Sequence, residues 1–137
     1  MATITGIIET ALYVEDLDRA VSFYKDLFGF ETLSADDRFH ALNVGNKHVL
    51  LLFRRGASLQ PIPTPGGTIP PHDGSGPAHI GFSIPADSLA EWQNRLSKSN
   101  VKIESTTVWP RGGTSIYFRD PDGHLLELIT PGVWTIY

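Results

Sequence analysis

Asp120-Pro-Asp-Gly-His-Leu-Leu-Glu-Leu-Ile-Thr130 is a tight turn followed by an apolar strand that carries a single carboxylate, Glu127, in its middle. Asp, Pro and Gly in this order favour a sharp reversal. A carboxylate on the buried face of a strand costs several kcal/mol unless it is neutralised, and a divalent cation is one of the few groups able to do so. Two further candidate ligands lie upstream: His79 opens the run His79-Ile-Gly-Phe-Ser-Ile84, and Glu9 opens a run of the same shape, Glu9-Thr-Ala-Leu-Tyr-Val14.

Working outward from these runs, the chain repeats itself. Residues 7 to 14 read as a strand. Asp16 then caps a helix whose apolar face is Leu17, Ala20, Val21, Tyr24, Leu27 and Phe28, with Gly29 closing it. Phe30-Glu-Thr-Leu begins an extended piece, and the strands Phe39 to Val44 and His48 to Phe53 flank a Gly45-Asn46 turn. After residue 77 the pattern restarts. A strand spans His79 to Ile84, and a helix opens at Ser88 and Glu91 in capping-box spacing, with Asn100 at its end. Extended pieces follow at Val101 to Thr107, Thr114 to Phe118 and Leu125 to Thr130. Both halves read strand, helix, strand, strand, strand.

Overlaying the halves pairs Glu9 with His79, the helix from Leu17 with that from Leu89, and Leu51 with Glu127. Equivalent positions therefore hold Glu, Leu, His and Glu, and three of the four can bind a metal. Alternate residues of a strand share a face. Glu9, Ala11 and Tyr13 point together, as do His79, Gly81 and Ser83, and Leu125, Glu127 and Ile129, while the intervening apolar residues point toward the helices. Small residues beside the first position of each half suit a concave surface with a pocket better than a packed core.

The expected organisation is a single domain of residues 1–137, with module one over about 5–53, a connector over about 54–77 and module two over about 78–132. The connector holds six prolines and five glycines, which predicts a structureless linker or a flap over a site. A formal charge of −4 offers no basic field for nucleic acid. No apolar run nears the roughly 20 residues that span a membrane, and the first residues lack the pattern of a secretion signal, so the chain reads as cytoplasmic. With no cysteine, disulfides, thiolate metal sites and cysteine nucleophiles are excluded.

The stretches Leu12 to Phe30, His79-Ile-Gly-Phe82 and Tyr117 to Ile129 resemble the vicinal oxygen chelate superfamily. Glyoxalase I, extradiol dioxygenases, fosfomycin-resistance enzymes, methylmalonyl-CoA epimerase and bleomycin-resistance binding proteins are among its members. The resemblance implies an α+β fold of two tandem βαβββ modules, whose sheets curl into a cup around one divalent metal ion held by the first and fourth strands of each module. The ion would be Fe, Mn, Ni, Co or Zn. Carried over position by position, Glu9, His79 and Glu127 fall on ligand positions and Leu51 on the one that cannot bind. Extradiol dioxygenases and fosfomycin-modifying enzymes would have His at the place of Glu9, and glyoxalase I would add a Glu at the place of Leu51. Two carboxylates leave the ligand set formally neutral on a dication.

The expected function is metal-dependent chemistry of the isomerase or lyase type. A small oxygenated substrate is chelated through two neighbouring oxygens, and a carboxylate, Glu9 or Glu127, or a metal-bound water moves the proton. An extradiol ring-cleaving dioxygenase and a metal-free binder of the bleomycin-resistance type are the alternatives. Glu9 also fits a partner for Lys or Arg. His72 in the connector, Arg111 in Trp-Pro-Arg-Gly-Gly, Tyr13 and Tyr117 are candidate substrate contacts, against the plainer readings of solvated loop residues and aromatic core. The expected partners are a small-molecule substrate and a second copy of the chain. In a dimer with exchanged halves, Glu9 and Glu127 would come from different subunits.

Overall fold

Asp16 sets where the first helix begins: extended in backbone, it accepts a hydrogen bond from the Arg19 N–H at 3.0 Å. In the computed structural model, which describes residues 1–137, helix α1 spans Leu17–Phe28. It stops at Gly29, whose φ of 74° lies in the left-handed region and whose N–H bonds the Lys25 carbonyl. Ala20, Tyr24 and Leu27 are its buried face.

These residues cover a four-stranded sheet built from β1 (Glu9–Val14), β2 (Glu31–Ala35), β3 (Phe39–Val44) and β4 (His48–Arg54). The order is β1-β4-β3-β2, with β1 and β4 parallel and the remaining pairs antiparallel. Leu12, Val14, Leu42, Leu50 and Leu52 are buried, so the face assigned to the helix by strand parity forms the core of this half. Gly45 and Asn46 both take positive φ between β3 and β4, as the hairpin turn requires.

The stretch expected to be structureless carries a small hairpin, β5 (Ile62–Thr64) and β6 (Gly67–Ile69). Prolines are tolerated there because a two-stranded ribbon needs few ladder bonds. The connector then returns to the first half. The His72 N–H bonds Ser58 O at 2.9 Å, the Gly56 N–H bonds Asp73 Oδ1 at 3.0 Å, and Arg55 Nε donates to Gly74 O at 3.3 Å.

The second half repeats the plan with β7 (His79–Ser83), α2 (Leu89–Lys98), β8 (Ser105–Val108), β9 (Thr114–Arg119) and β10 (Leu125–Ile129). The sheet order is β7-β10-β9-β8, with β7 and β10 parallel. The capping box expected at Ser88 and Glu91 does not form. A short 3-10 turn, Ala86–Ser88, runs directly into α2, so Ser88 already has near-helical backbone and its hydroxyl donates to Pro85 O at 2.7 Å. Asn100 does close the helix: φ is 56°, its N–H bonds Ser97 O, and the Val101 N–H reaches back to Leu96 O. This is the paired bonding of a Schellman motif. Phe118, Leu126, Leu128 and Ile116 are fully buried.

The fold is therefore α+β with two βαβββ modules, and the chain contacts divide into compact units Met1–Ser75 and Gly76–Tyr137. The duplication extends to register. Ala11 sits opposite Leu51 and Leu51 opposite Ala41, while Gly81 sits opposite Glu127 and Glu127 opposite Tyr117. Leu51 and Glu127 are thus the same structural position in the two modules. No helix is long and apolar enough to cross a membrane.

Candidate functional site

In the second unit the site is prepared by the Asp120–Gly123 turn. Asp120 is buried, and its Oδ1 accepts hydrogen bonds from the N–H groups of Asp122 and His124 at 3.0 and 2.8 Å. Gly123 takes the left-handed φ of 81° that completes the reversal. The turn delivers His124, fully buried, whose Nδ1 accepts the Ala78 N–H at 2.8 Å, while the Leu125 N–H bonds Ala78 O at 2.8 Å. Ala78 is thereby held by both of its backbone groups. The residue after it, His79, starts β7 at a set distance from β10.

The His79 side chain is engaged at both ring nitrogens. Its Nδ1 lies 2.9 Å from the Leu125 carbonyl, which only accepts, so Nδ1 carries a hydrogen. Its Nε2 faces Glu127 Oε1 at 3.1 Å. A neutral imidazole would set a lone pair of Nε2 against a carboxylate oxygen. Something positive belongs between them, either a proton or a metal ion. A histidine bound to a carbonyl through one nitrogen while the other faces a carboxylate is the donor arrangement of a metal ligand with its supporting hydrogen bond. Glu127 is buried, at 8% side-chain exposure, and the His79 side chain is half exposed, so an approach from solvent is open. These two residues fit a divalent cation.

Tyr117 stands opposite Glu127 across the β9–β10 pair, with its ring 6.4 Å from that of His79. Burial first, and then the Glu127 charge, hold its phenol above the ordinary tyrosine range, so it keeps its proton. Ile129 packs over Gly81 beside the carboxylate: a Cβ there would lie 2.6 Å from Ile129 Cδ1 and 3.9 Å from Glu127 Oε1. Arg111 is not brought to this group. It is exposed on the turn before Thr114, at the end of β9 that pairs toward Ile129, whereas His79 pairs with Leu125 at the other end.

In the first unit Glu9 is exposed and lines a cavity of about 480 Å³ together with Arg38, Leu51, Phe53, Ile69 and His72. His72 is not a free loop residue. Its Nδ1 lies 2.6 Å from the Tyr13 hydroxyl, and its ring meets Phe53 edge-on at 4.5 Å. Gly74 packs so closely on Tyr13 that a Cβ would come within 2.5 Å of the ring. Burial, and then the Asp73 charge, raise the Tyr13 phenol above its usual range. The protonated hydroxyl donates to His72 Nδ1 or accepts from it according to the tautomer of the ring.

The raised phenol gives a pH prediction. The folded chain keeps the Tyr13 proton where an unfolded tyrosine, with a pKa of about 10, has lost it. This contribution to stability is whole below about pH 10 and disappears as pH climbs through the raised value. Tyr13→Phe is expected to remove a late phenolate step from the ultraviolet titration and to flatten the alkaline loss of stability. An unchanged titration would place the late step on another tyrosine.

The structure thus gathers His79, Glu127 and Tyr117 in one unit, and Glu9, Tyr13 and His72 around one cavity in the other. Within neither unit do three His, Asp or Glu side chains converge. Two residues were missed from sequence. Arg38 precedes β3 and was outside every periodic pattern, although its guanidinium lies over the Phe39 and Phe53 rings, 5.1 and 5.5 Å from their centroids. His124 was visible in the turn motif, but nothing local marked it as the acceptor for Ala78.

The family model described as "Glyoxalase/Bleomycin resistance protein/Dioxygenase superfamily" matches residues 6–128. A metallothiol transferase FosB of Shouchella clausii is 30% identical over 129 residues, covering 93% of this chain and 81% of the relative. The fosfomycin resistance protein FosX of Listeria innocua is 28% identical over 134 residues, covering 91% and 89%. Among solved structures, lactoylglutathione lyase from Agrobacterium tumefaciens aligns with a TM-score of 0.88 at 32% identity, over 98% of this chain and 99% of that one.

Proposed function

The chain belongs to the glyoxalase/bleomycin resistance protein/dioxygenase superfamily, and we propose that it is a divalent-metal-dependent enzyme that moves a proton on a small oxygenated substrate, in isomerase- or lyase-type chemistry. The observation that carries this is the pairing of His79 Nε2 with Glu127 Oε1 at 3.1 Å, with the far side of the imidazole already bound to a carbonyl. The likeness to a lactoylglutathione lyase and to a metallothiol transferase supports it.

His79 and Glu127 would hold the ion, and Glu9, which starts the equivalent strand of module one, would be the third ligand. A bound dication supplies Lewis acidity toward two adjacent substrate oxygens and stabilises the negative charge that develops on them. The chain's own residues do the rest. Glu9 or Glu127 accepts the substrate proton. Tyr117, held protonated, orients the Glu127 carboxylate, and the Leu125 carbonyl keeps the His79 ring in one tautomer. Tyr13, His72 and Tyr117 are the proposed substrate contacts.

A complete ligand set takes one module one and one module two, from a single chain or from two copies, and we propose a homodimer. The test is elemental analysis of the purified full-length protein, with sedimentation in the presence and absence of added metal. Stoichiometric metal and a dimer are expected. A protein with no affinity for divalent ions would be a binder of small molecules instead. Oxygen uptake with catechols after iron loading would move the assignment to ring cleavage.

A further inference from the structure

The module-one cavity has a chemical character of its own. Its walls are apolar and aromatic, with Leu51, Phe53 and Ile69 among them. Two nitrogen donors stand against the same Phe53 ring. The Arg38 guanidinium lies 5.5 Å from its centroid, and the His72 ring contacts it edge-on at 4.5 Å. Both residues also line the cavity.

Each donor is held in place. Arg38 is 14% exposed, and its Nη1 donates to Ser58 Oγ at 3.0 Å. Its nearest carboxylate oxygen, Asp36 Oδ2, is 3.9 Å from Nη2, beyond hydrogen-bonding distance. A guanidinium has five N–H groups, so Arg38 retains donors beyond the one given to Ser58. On the other side, the Tyr13 hydroxyl lies 2.6 Å from His72 Nδ1. In the tautomer that accepts this hydroxyl at Nδ1, the ring hydrogen sits on Nε2 and is a second donor.

We infer that this cavity selects substrates bearing a planar carboxylate on a small apolar body, with Arg38 as the specificity-determining residue and His72 as a second donor. A guanidinium lying over two aromatic rings presents its fork in one plane, which matches a flat carboxylate. Phe53, Leu51 and Ile69 take the apolar part. Tyr13 is a positioning residue, acting through His72. The inference rests on the metal-dependent reading above, because Glu9 lines the same cavity and would repel an anion unless a cation engages it.

The test is calorimetric titration of the full-length protein, equilibrated with Mn(II), using benzoate, its neutral isostere benzamide, and inorganic phosphate. Metal content is measured on the same samples. Benzoate should bind about tenfold more tightly than benzamide or more, the order of one charge-assisted hydrogen bond. Arg38→Gln should erase that preference while leaving metal content and benzamide binding unchanged. Should Arg38→Gln fold poorly, the Arg38 Nε–H resonance of the parent protein is followed instead, and benzoate should shift it where benzamide does not. Equal binding of benzoate and benzamide in metal-replete protein overturns the inference alone. So does a preference that survives in Arg38→Gln, an Arg38 resonance that benzoate leaves unmoved, or phosphate binding more tightly than benzoate. Absence of metal from the parent overturns the premise, and the metal count shows which of the two has failed.

Discussion

His79→Ala is expected to lower the affinity for Mn(II) or Zn(II) by at least about 100-fold, and Glu127→Ala by a comparable factor. Residues that merely support a metal ligand cost about 10- to 100-fold when removed, so loss of a ligand should cost no less, about 2.7 kcal/mol or more. The two variants should nevertheless differ in their effect on folding. His79 is half exposed, and its removal leaves the Leu125 carbonyl accessible to water. Glu127 is buried opposite Tyr117, so Glu127→Ala empties a buried position beside the phenol as well as deleting a charge. Glu127→Gln separates the effects, since the amide keeps the buried volume and loses only the charge. Calorimetric titration of metal into each variant is the measurement. Affinities within threefold of the parent in both His79→Ala and Glu127→Ala would end the metal assignment.

The second large effect is expected at a residue that touches neither ion nor substrate. His124→Ala should destabilise the protein by about 3 kcal/mol and weaken metal binding by about tenfold or more. The stability loss has two sources. The Ala78 N–H, which bonds His124 Nδ1 at 2.8 Å, is left without its acceptor at a cost of about 1–3 kcal/mol. A fully buried ring is also deleted, which leaves a cavity. The binding loss follows because Ala78 immediately precedes His79, so freeing one of its backbone groups loosens the start of β7. His124→Gln, whose side-chain carbonyl can accept the same N–H, should recover much of the metal affinity. Urea unfolding together with metal titration reads both quantities. A variant that loses stability but keeps parental metal affinity would make His124 part of the core and nothing more.

Much of the fold was legible because its signals are local. The N-cap at Asp16, the left-handed closures at Gly29 and Asn100, and the Gly45-Asn46 turn each depend on a few adjacent residues. The duplication could be read because both modules bury the same strand face against a helix, which imposes the same alternation twice. The overlay of Leu51 on Glu127 was confirmed by strand register. Ser88 failed as a cap because a preceding 3-10 turn supplied the helix start, an outcome that depends on backbone geometry rather than residue type. The hairpin at Ile62–Ile69 escaped notice because prolines and glycines were read as breakers, while Thr64 and Gly67 in fact pair across the turn.

The candidate site divides in the same way. Strand parity nominated Glu127, since a carboxylate on a buried strand face is improbable without a partner, and the overlay of the halves nominated Glu9 and His79, which open equivalent strands and are themselves exposed. Sequence alone determined that the chain holds two copies of one module, which of their faces are apolar, and which positions carry acids or imidazole where aliphatic residues belong. Tertiary structure decided what those groups meet: Nε2 of His79 on Glu127, Nδ1 of His72 on the Tyr13 hydroxyl, Arg38 over Phe39 and Phe53. The physical reason is reach. Propensity and periodicity act over a few residues along the chain, whereas a hydrogen bond between residues 48 or 59 positions apart exists only once packing has chosen the register and the rotamers.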